Sequence, residues 1–266
     1  MPAAFAVGAG LAALPALAWT VLHLRRRGLY RRLRAQHAAI RAAHPDWRVG
    51  APPVDFATGC AVVPDALPAA DFARLLAVGE TCRNPERSWI PAHKQGGTIA
   101  YESLHALAPE LVGFFLSNGL RQWVSATVGE AVLPTPVHDQ SSCSLLRYSA
   151  PRDRIGWHYD HNFYRGRHFT VLLVLANRRE DEPTALSDCR LHVRLGQQDV
   201  VIEDRPNTLI VFEGARIRHC ASALGPGQFR LLLSMTFATR LSASPAQAVA
   251  RRCKDVAFYG LRALWT

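Results

Sequence analysis

Residues 154–161 read Arg154-Ile155-Gly156-Trp157-His158-Tyr159-Asp160-His161. Pro151-Arg152-Asp153 precedes this run and Arg165-Gly166-Arg167 follows it, so turn signals bound a strand expected over Gly156–His161. Strand side chains alternate between faces, which sets His158 and Asp160 side by side on one face. His219, on a separate expected strand, completes a two-His, one-carboxylate set. Such a set leaves three positions of a metal open and suits Fe(II), which needs them for a co-substrate and O₂.

The same rhythm continues on both sides. Strands are expected at Ser144–Ser149, Gly156–His161, His168–Leu175, Arg190–Leu195, Asp199–Ile202, Thr208–Phe212, Arg216–Ala221 and Phe229–Ala238. Gly196-Gln197-Gln198, Asp204-Arg205-Pro206-Asn207 and Gly225-Pro226-Gly227 separate several of them as turns. Eight short strands in roughly a hundred residues predict a jelly roll, or double-stranded β-helix. Ahead of it, 54–140 reads as an α-rich support region. Helical spacing runs over 69–82 and from Pro109 to about Val128 with a stop at Asn118-Gly119, and Gln95-Gly96-Gly97 opens a short strand. After it, Ser244-Pro245-Ala246-Gln247 carries an N-cap, a proline at the first helical position and a capping-box glutamine. A C-terminal helix is expected from there to about Leu264. The fold class is α+β, with the jelly-roll core over 141–240, flanking helices, and a C-terminal segment over 241–266.

An H-x-D string alone is weak evidence, and the chain carries a second one at His44-Pro45-Asp46, in a proline-bearing basic stretch with no strand around it. What distinguishes His158-Tyr159-Asp160 is its company. Tyr148 stands in the preceding strand, His219 follows the strand Thr208–Phe212, and Arg230 lies eleven residues later, with Leu232, Ser234 and Thr236 on the same strand face.

With these residues the stretch 141–240 resembles the 2-oxoglutarate/Fe(II)-dependent oxygenase superfamily, in particular its prolyl-4-hydroxylase-like branch. The resemblance implies that His158, Asp160 and His219 are the metal ligands. It implies that Arg230 pairs with the distal carboxylate of 2-oxoglutarate, assisted by Ser234 and Tyr148. The implied cofactors are Fe(II) and 2-oxoglutarate, with ascorbate as an accessory reductant. The implied reaction is a dioxygenase hydroxylation that releases succinate and CO₂; the related halogenases lack the carboxylate that Asp160 supplies. Without the co-substrate Arg230 is expected to be a buried, uncompensated cation. A catalytically inactive, membrane-tethered binding protein on the same fold stays open as an alternative, as does a cupin-like metalloenzyme that does not use 2-oxoglutarate. Asn162, Tyr164, Arg165 and Arg167 follow the ligand pair as candidates for the substrate mouth; His93, His138 and His161 have no assigned role.

The chain has 266 residues, 49% apolar and 20% charged, enough for one sizeable domain, with a formal charge of +10. The charge is local. Residues 1–50 hold Arg25, Arg26, Arg27, Arg31, Arg32, Arg34, Arg41 and Arg48 against the single acid Asp46, whereas the remaining residues are nearly balanced. That distribution argues against a nucleic-acid partner. The six cysteines show no C-x-x-C spacing and read as reduced, mostly buried thiols. Lys94 and Lys254 are the only lysines, against 29 arginines, and are given no functional weight.

Ala3–Leu24 carries no charge and is long enough to cross a membrane as a helix. The arginines follow it, so residues 1–24 are expected to be a transmembrane anchor, 25–53 a basic juxtamembrane linker, and the catalytic body cytoplasmic. An organellar transit peptide is the alternative, since no acid precedes Asp46. An anchor favours a lipid, a membrane-borne metabolite or a membrane-protein side chain as substrate; the oligomeric state is not legible.

Overall fold

The structure, a computed structural model, describes residues 3–44, 47–87 and 93–264, with side chains from Leu17 onward. The order in the front half is α1 (Ala3–Ala43), β1 (Cys60–Val63), α2 (Ala69–Thr81), β2 (Glu86–Arg87), β3 (Lys94–Gln95), β4 (Gly97–Ile99), α3 (Tyr101–Leu107), α4 (Pro109–Leu116), α5 (Asn118–Val128) and β5 (Leu133–Pro134). The eight strands that follow are β6 (Cys143–Tyr148), β7 (Arg154–His158), β8 (His168–Arg179), β9 (Leu191–Leu195), β10 (Gln198–Ile202), β11 (Leu209–Phe212), β12 (His219–Ala221) and β13 (Gln228–Ala238). Helix α6 (Pro245–Tyr259) and a 3₁₀ turn over Leu261–Leu264 close the described chain.

The eight strands divide between two antiparallel sheets. One has the order β1-β11-β8-β13-β6-β4-β2, with β5 added to β13; the other runs β10-β9-β12-β7-β3. Strands β6, β8, β11 and β13 thus face β7, β9, β10 and β12, and the chain crosses between the sheets again and again, which is jelly-roll connectivity.

Period-two alternation explains how one sheet serves two cores. On β13, Leu231, Leu233, Met235 and Phe237 join Phe169, Val171, Leu173 and Leu175 of β8 in a large apolar cluster with the front helices. The alternate residues Leu232, Leu172 and Val174 face inward with Val193, Ile210 and Phe212. Both faces of β8 and β13 are therefore covered, which accounts for their nearly unbroken apolar runs. Arg230, Leu232, Ser234 and Thr236 all lie on the inward face, as the sequence spacing predicts.

The front half departs from expectation in two places. Residues 25–43, expected to be linker, continue α1 as one helix. Leu33 and Ile40 are buried, Leu29 and Tyr30 pack beside them, and α1 lies against α4. These four residues share one helical stripe, and the arginines between them fall on the exposed face and hide it in the sequence. The break in the second helical stretch comes at Ser117, whose hydroxyl accepts from the Leu120 amide and caps α5, one residue before the expected stop. The capping box of α6 forms as expected, but Gly260, with a positive φ of 73°, ends the helix short of Leu264.

No helix among the described residues is long and apolar enough to cross a membrane. The side chains of residues 1–16, most of the expected anchor, lie outside the described residues. All six cysteines are free, five of them buried.

The packing of α1 makes a prediction about truncation. A chain starting at Arg25 keeps its melting temperature. One starting at Pro52 lacks Leu33, Ile40 and Trp47, each at most 8% exposed. At about 1.5–3 kcal/mol per buried side chain, it unfolds at markedly lower temperature in a thermal melt.

Candidate metal centre

His158 ends β7, His219 opens β12, and the two are register partners across the strand pair. Asp160 lies just past the end of β7, where the Asp160 amide donates to the Gly214 carbonyl at 2.9 Å. Nε2 of each histidine stands 3.6 Å from Asp160 Oδ1, and the histidine ring centroids are 4.2 Å apart. One donor atom from each residue lies within 4.8 Å of the others, a group that could hold a metal ion.

Neighbours fix the orientation of every donor. His158 Nδ1 donates to the Gly156 carbonyl at 2.8 Å, and His219 Nδ1 donates to the Ile217 carbonyl at 2.9 Å. A carbonyl can only accept, so Nδ1 of each ring carries a proton and each Nε2 is turned toward Asp160. Burial lowers the His219 pKa, which favours the neutral ring that metal ligation requires. The Thr170 hydroxyl, on β8, donates to Asp160 Oδ2 at 2.5 Å and leaves Oδ1 for a metal. Burial opposes ionisation of Asp160, but His219, His158 and Thr170 together outweigh it and hold the carboxyl well below its usual range. Gly214 completes the cradle, since a Cβ there would stand 2.2 Å from Asp160 Oδ2. The donor types, their tautomers and their spacing fit a divalent transition metal with open positions.

The three donors open into a cavity of ≈ 180 Å³ between the sheets, lined also by Tyr148, Arg230 and Ser234. Arg230 is 2% exposed and pairs with Tyr148 across β13 and β6, its guanidinium 5.6 Å from the tyrosine ring centre. It is not an uncompensated cation. Nε donates to Asp204 Oδ2 at 2.8 Å, Nη2 also bonds to Asp204, and Asp204 is fully buried. Asn177 in turn donates to Asp204 Oδ1 at 3.1 Å. Nη1 meets only the weak acceptor Cys189 Sγ, at 3.9 Å.

No protein-family model matches this chain, and no curated protein matches it. Solved structures do. The non-heme alpha ketoglutarate dependent epimerase SnoN from nogalamycin biosynthesis aligns over 68% of this chain and 76% of its own, at 15% identity and TM-score 0.54. A 2OG-Fe(II) oxygenase family oxidoreductase from Burkholderia pseudomallei aligns over 70% and 88%, at 15% identity and TM-score 0.53. This chain has the fold of the 2-oxoglutarate/Fe(II) oxygenases. AviO1 from Streptomyces viridochromogenes Tue57 matches over 77% of this chain and 97% of its own, at 17% identity and TM-score 0.53. A Pseudomonas putida prolyl-4-hydroxylase is also among the matches, at 17% identity over 68% and 92% of the two chains and TM-score 0.46.

Within this oxygenase fold the six expected site residues, His158, Asp160, His219, Arg230, Tyr148 and Ser234, all line one cavity. The residues considered for its mouth do not. Tyr164 is buried with its hydroxyl donating to Asp139, Arg167 pairs with Glu213 and Glu130, and Asn162 closes a local turn onto the Gly166 carbonyl. Arg165 holds the same loop through its amide, which donates to the Ser242 carbonyl. Among the described residues, His44 of the second H-x-D string joins no group that could hold a metal. His44 is bonded to Arg74, and Asp46 lies outside the described residues. His93 lies edge-on to the His158 ring, and His161 also lines the cavity. His138 packs against Tyr30. His168 is a further lining residue, its Nδ1 buried without a hydrogen-bond partner among the described residues. Thr170 and Asp204 escaped sequence reasoning, the first inside an apolar strand and the second inside a turn signal. Both lysines line the cavity as well.

The cradle around Asp160 is testable. Gly214→Ala drives a methyl group into the carboxylate and lowers metal affinity about ten- to a hundredfold, the scale of lost support around a ligand. Gly28→Ala, on the exposed helix with nothing within 4 Å, leaves it unchanged. Calorimetric metal titration of both variants reads the difference.

Proposed function

We propose that this chain is an Fe(II)/2-oxoglutarate-dependent oxygenase that hydroxylates its substrate, with His158, Asp160 and His219 holding the iron and Arg230, Ser234 and Tyr148 holding the co-substrate. The observation that carries the reading is the convergence of three oriented metal donors and a buried arginine on one cavity. Two proteins of this fold support it: SnoN has been solved with Fe3+, alpha ketoglutarate and nogalamycin RO, and HygX from Streptomyces hygroscopicus with nickel and 2-oxoglutarate.

Fe(II) and 2-oxoglutarate, when bound, supply the power to oxidise a C–H bond with O₂, and the products are succinate, CO₂ and an alcohol. The chain's own part is placement. His158 and His219 would hold the metal through their Nε2 atoms and Asp160 through Oδ1. Arg230 Nη1, the one guanidinium nitrogen not engaged by Asp204, is the donor left for the distal carboxylate. Asp204 holds the guanidinium plane in place before the co-substrate arrives, so little order is lost on binding. Leu172, Phe212 and Leu232 line the same cavity and exclude water. The carboxylate ligand Asp160 favours hydroxylation over halogenation, which needs that position free for chloride. SnoN is an epimerase and SnoK a carbocyclase, so the outcome after C–H cleavage is set by the substrate subsite and not by the fold.

The exposed apolar residues Leu17, Trp19, Val21 and Leu24, immediately ahead of Arg25-Arg26-Arg27, support a membrane-anchored body with a membrane-borne substrate. Full-length chain released from membranes by carbonate counters the anchor and leaves the chemistry untouched. The chemistry has its own test. Purified chain with Fe(II), 2-oxoglutarate and O₂ releases succinate, and the release stops when iron is chelated; 2-oxoglutarate that stays intact under all conditions counters the proposal.

A further inference from the structure

Lys94 is 7% exposed and lines the cavity from β3, the edge strand beside β7. An ammonium has three N–H donors. One of them goes to Thr98 Oγ1 at 2.8 Å, a neutral acceptor, and the group lies 5.7 Å from the centre of the Phe258 ring. No carboxylate stands within ion-pair distance of it among the described residues. Every other buried cation of the cavity wall has one. Arg230 pairs with Asp204, and Lys254 pairs with both Asp139 and Asp255, at 3.1 and 2.8 Å. Burial pushes the Lys94 amine down to about 8, so it is still mostly charged at neutral pH. A buried charge with two idle donors is costly unless a ligand completes it.

The ligand it fits can be narrowed by position and charge. Lys94 Nζ bonds to Thr98, the register partner of Leu146 on β6, whereas Arg230 faces Tyr148, two residues further along the same strand, so the two cations occupy different positions on the cavity wall. In the preceding reading, on which this inference rests, Arg230 takes one carboxylate of 2-oxoglutarate and the metal takes the other. Lys94 is left for an anion of the substrate. A lone ammonium is a point charge that matches one negative charge, whereas phosphate groups are met by forks and clusters of donors. Phe258, Phe163 and Ile155 line the cavity with it, so the molecule attached to that charge is apolar.

We propose that Lys94 anchors the substrate by its carboxylate, and that the substrate is a carboxylic acid with an apolar body. The anchored end fixes which carbon faces His158, Asp160 and the metal.

The two-lysine composition makes the test direct. Full-length chain labelled with ¹³C at lysine Cε gives two side-chain signals, assigned with Lys94→Met. Loaded with Zn(II) and 2-oxoglutarate, the chain is titrated with hexanoate and benzoate, and with hexanamide and benzamide as neutral counterparts. Both acids are expected to move the Lys94 signal saturably while Lys254 stays still. Binding is expected to weaken at least about tenfold for the amides, and for the acids in Lys94→Met, read from the acids' own line widths. Lys94→Met is close in shape and removes a buried charge, so folding does not confound it. A chain that binds Zn(II) and 2-oxoglutarate but shows no acid-specific shift at Lys94 overturns this inference alone. So does a Lys94 signal already moved to its end point by 2-oxoglutarate, which makes the co-substrate its anion. A chain that binds neither Zn(II) nor 2-oxoglutarate overturns the underlying oxygenase reading and the inference with it.

Discussion

Replacing His158, Asp160 or His219 singly with Ala abolishes succinate release and lowers Fe(II) affinity by more than a hundredfold. In the proposed site three donors would hold the metal, and a site left with two loses more than the roughly ten- to hundredfold expected when only a supporting residue is removed. Asp160 carries the largest share, because its charge draws the cation and its Oδ1 is 3.6 Å from both imidazole Nε2 atoms. The control is His44→Ala, which removes the histidine of the other H-x-D string and breaks its contacts with Arg74 and the Trp47 ring, away from the cavity. Metal titration and thermal unfolding, run on the same variants, separate lost ligation from lost folding. Metal affinity that fell in His44→Ala and survived in His158→Ala would move the site elsewhere.

Arg230→Ala raises the 2-oxoglutarate concentration needed for half-maximal turnover by about thirty- to several-thousand-fold, the equivalent of roughly 2–5 kcal/mol for a charged, desolvated pair. It does so with little change in Fe(II) affinity. The same substitution leaves buried Asp204 with only Asn177 at 3.1 Å and Arg190 at 4.0 Å, which costs up to about 3–5 kcal/mol of stability. Two companion variants keep the effects apart. Arg230→Lys keeps a cation against Asp204 and loses less on both counts, since the point charge survives without the fork. Arg230→Ala combined with Asp204→Asn recovers stability but not co-substrate affinity. Calorimetric 2-oxoglutarate titrations and thermal melts of the three proteins read the two quantities independently. An unchanged 2-oxoglutarate affinity in Arg230→Ala would remove this residue from the site.

The parts of the site that could be read from sequence were those with a spacing rule behind them. Arg230, Leu232, Ser234 and Thr236 alternate along β13, so local geometry places them without any knowledge of the fold, whereas the strand expected over Gly156–His161 ends at His158 and Asp160 reaches the site from beyond it. All eight core strands were legible for the same reason, because turn residues bound them. What supports those residues was not legible. Asp204 sits in a turn that any acid could occupy, and only the closed jelly roll brings it against Arg230, so the expectation of an uncompensated cation failed. Thr170 is one polar residue in the apolar run of β8, and its partner Asp160 comes from a loop. Lys94 lies on a strand of two residues, too short for any period to show, and composition alone gave it no meaning. The helix α1 continues past Leu24 against expectation because six arginines on its solvent face outweigh a four-residue apolar stripe to the eye.

The central claim is that the three donors and Arg230 form one site in which metal and co-substrate depend on each other. Anaerobic titration of 2-oxoglutarate into the chain with and without Fe(II) tests it most directly. The account predicts binding of one 2-oxoglutarate per chain with iron, weakened at least about tenfold without it, since chelation by the metal is half of the grip. An affinity for 2-oxoglutarate that is the same in the presence and absence of iron would contradict it.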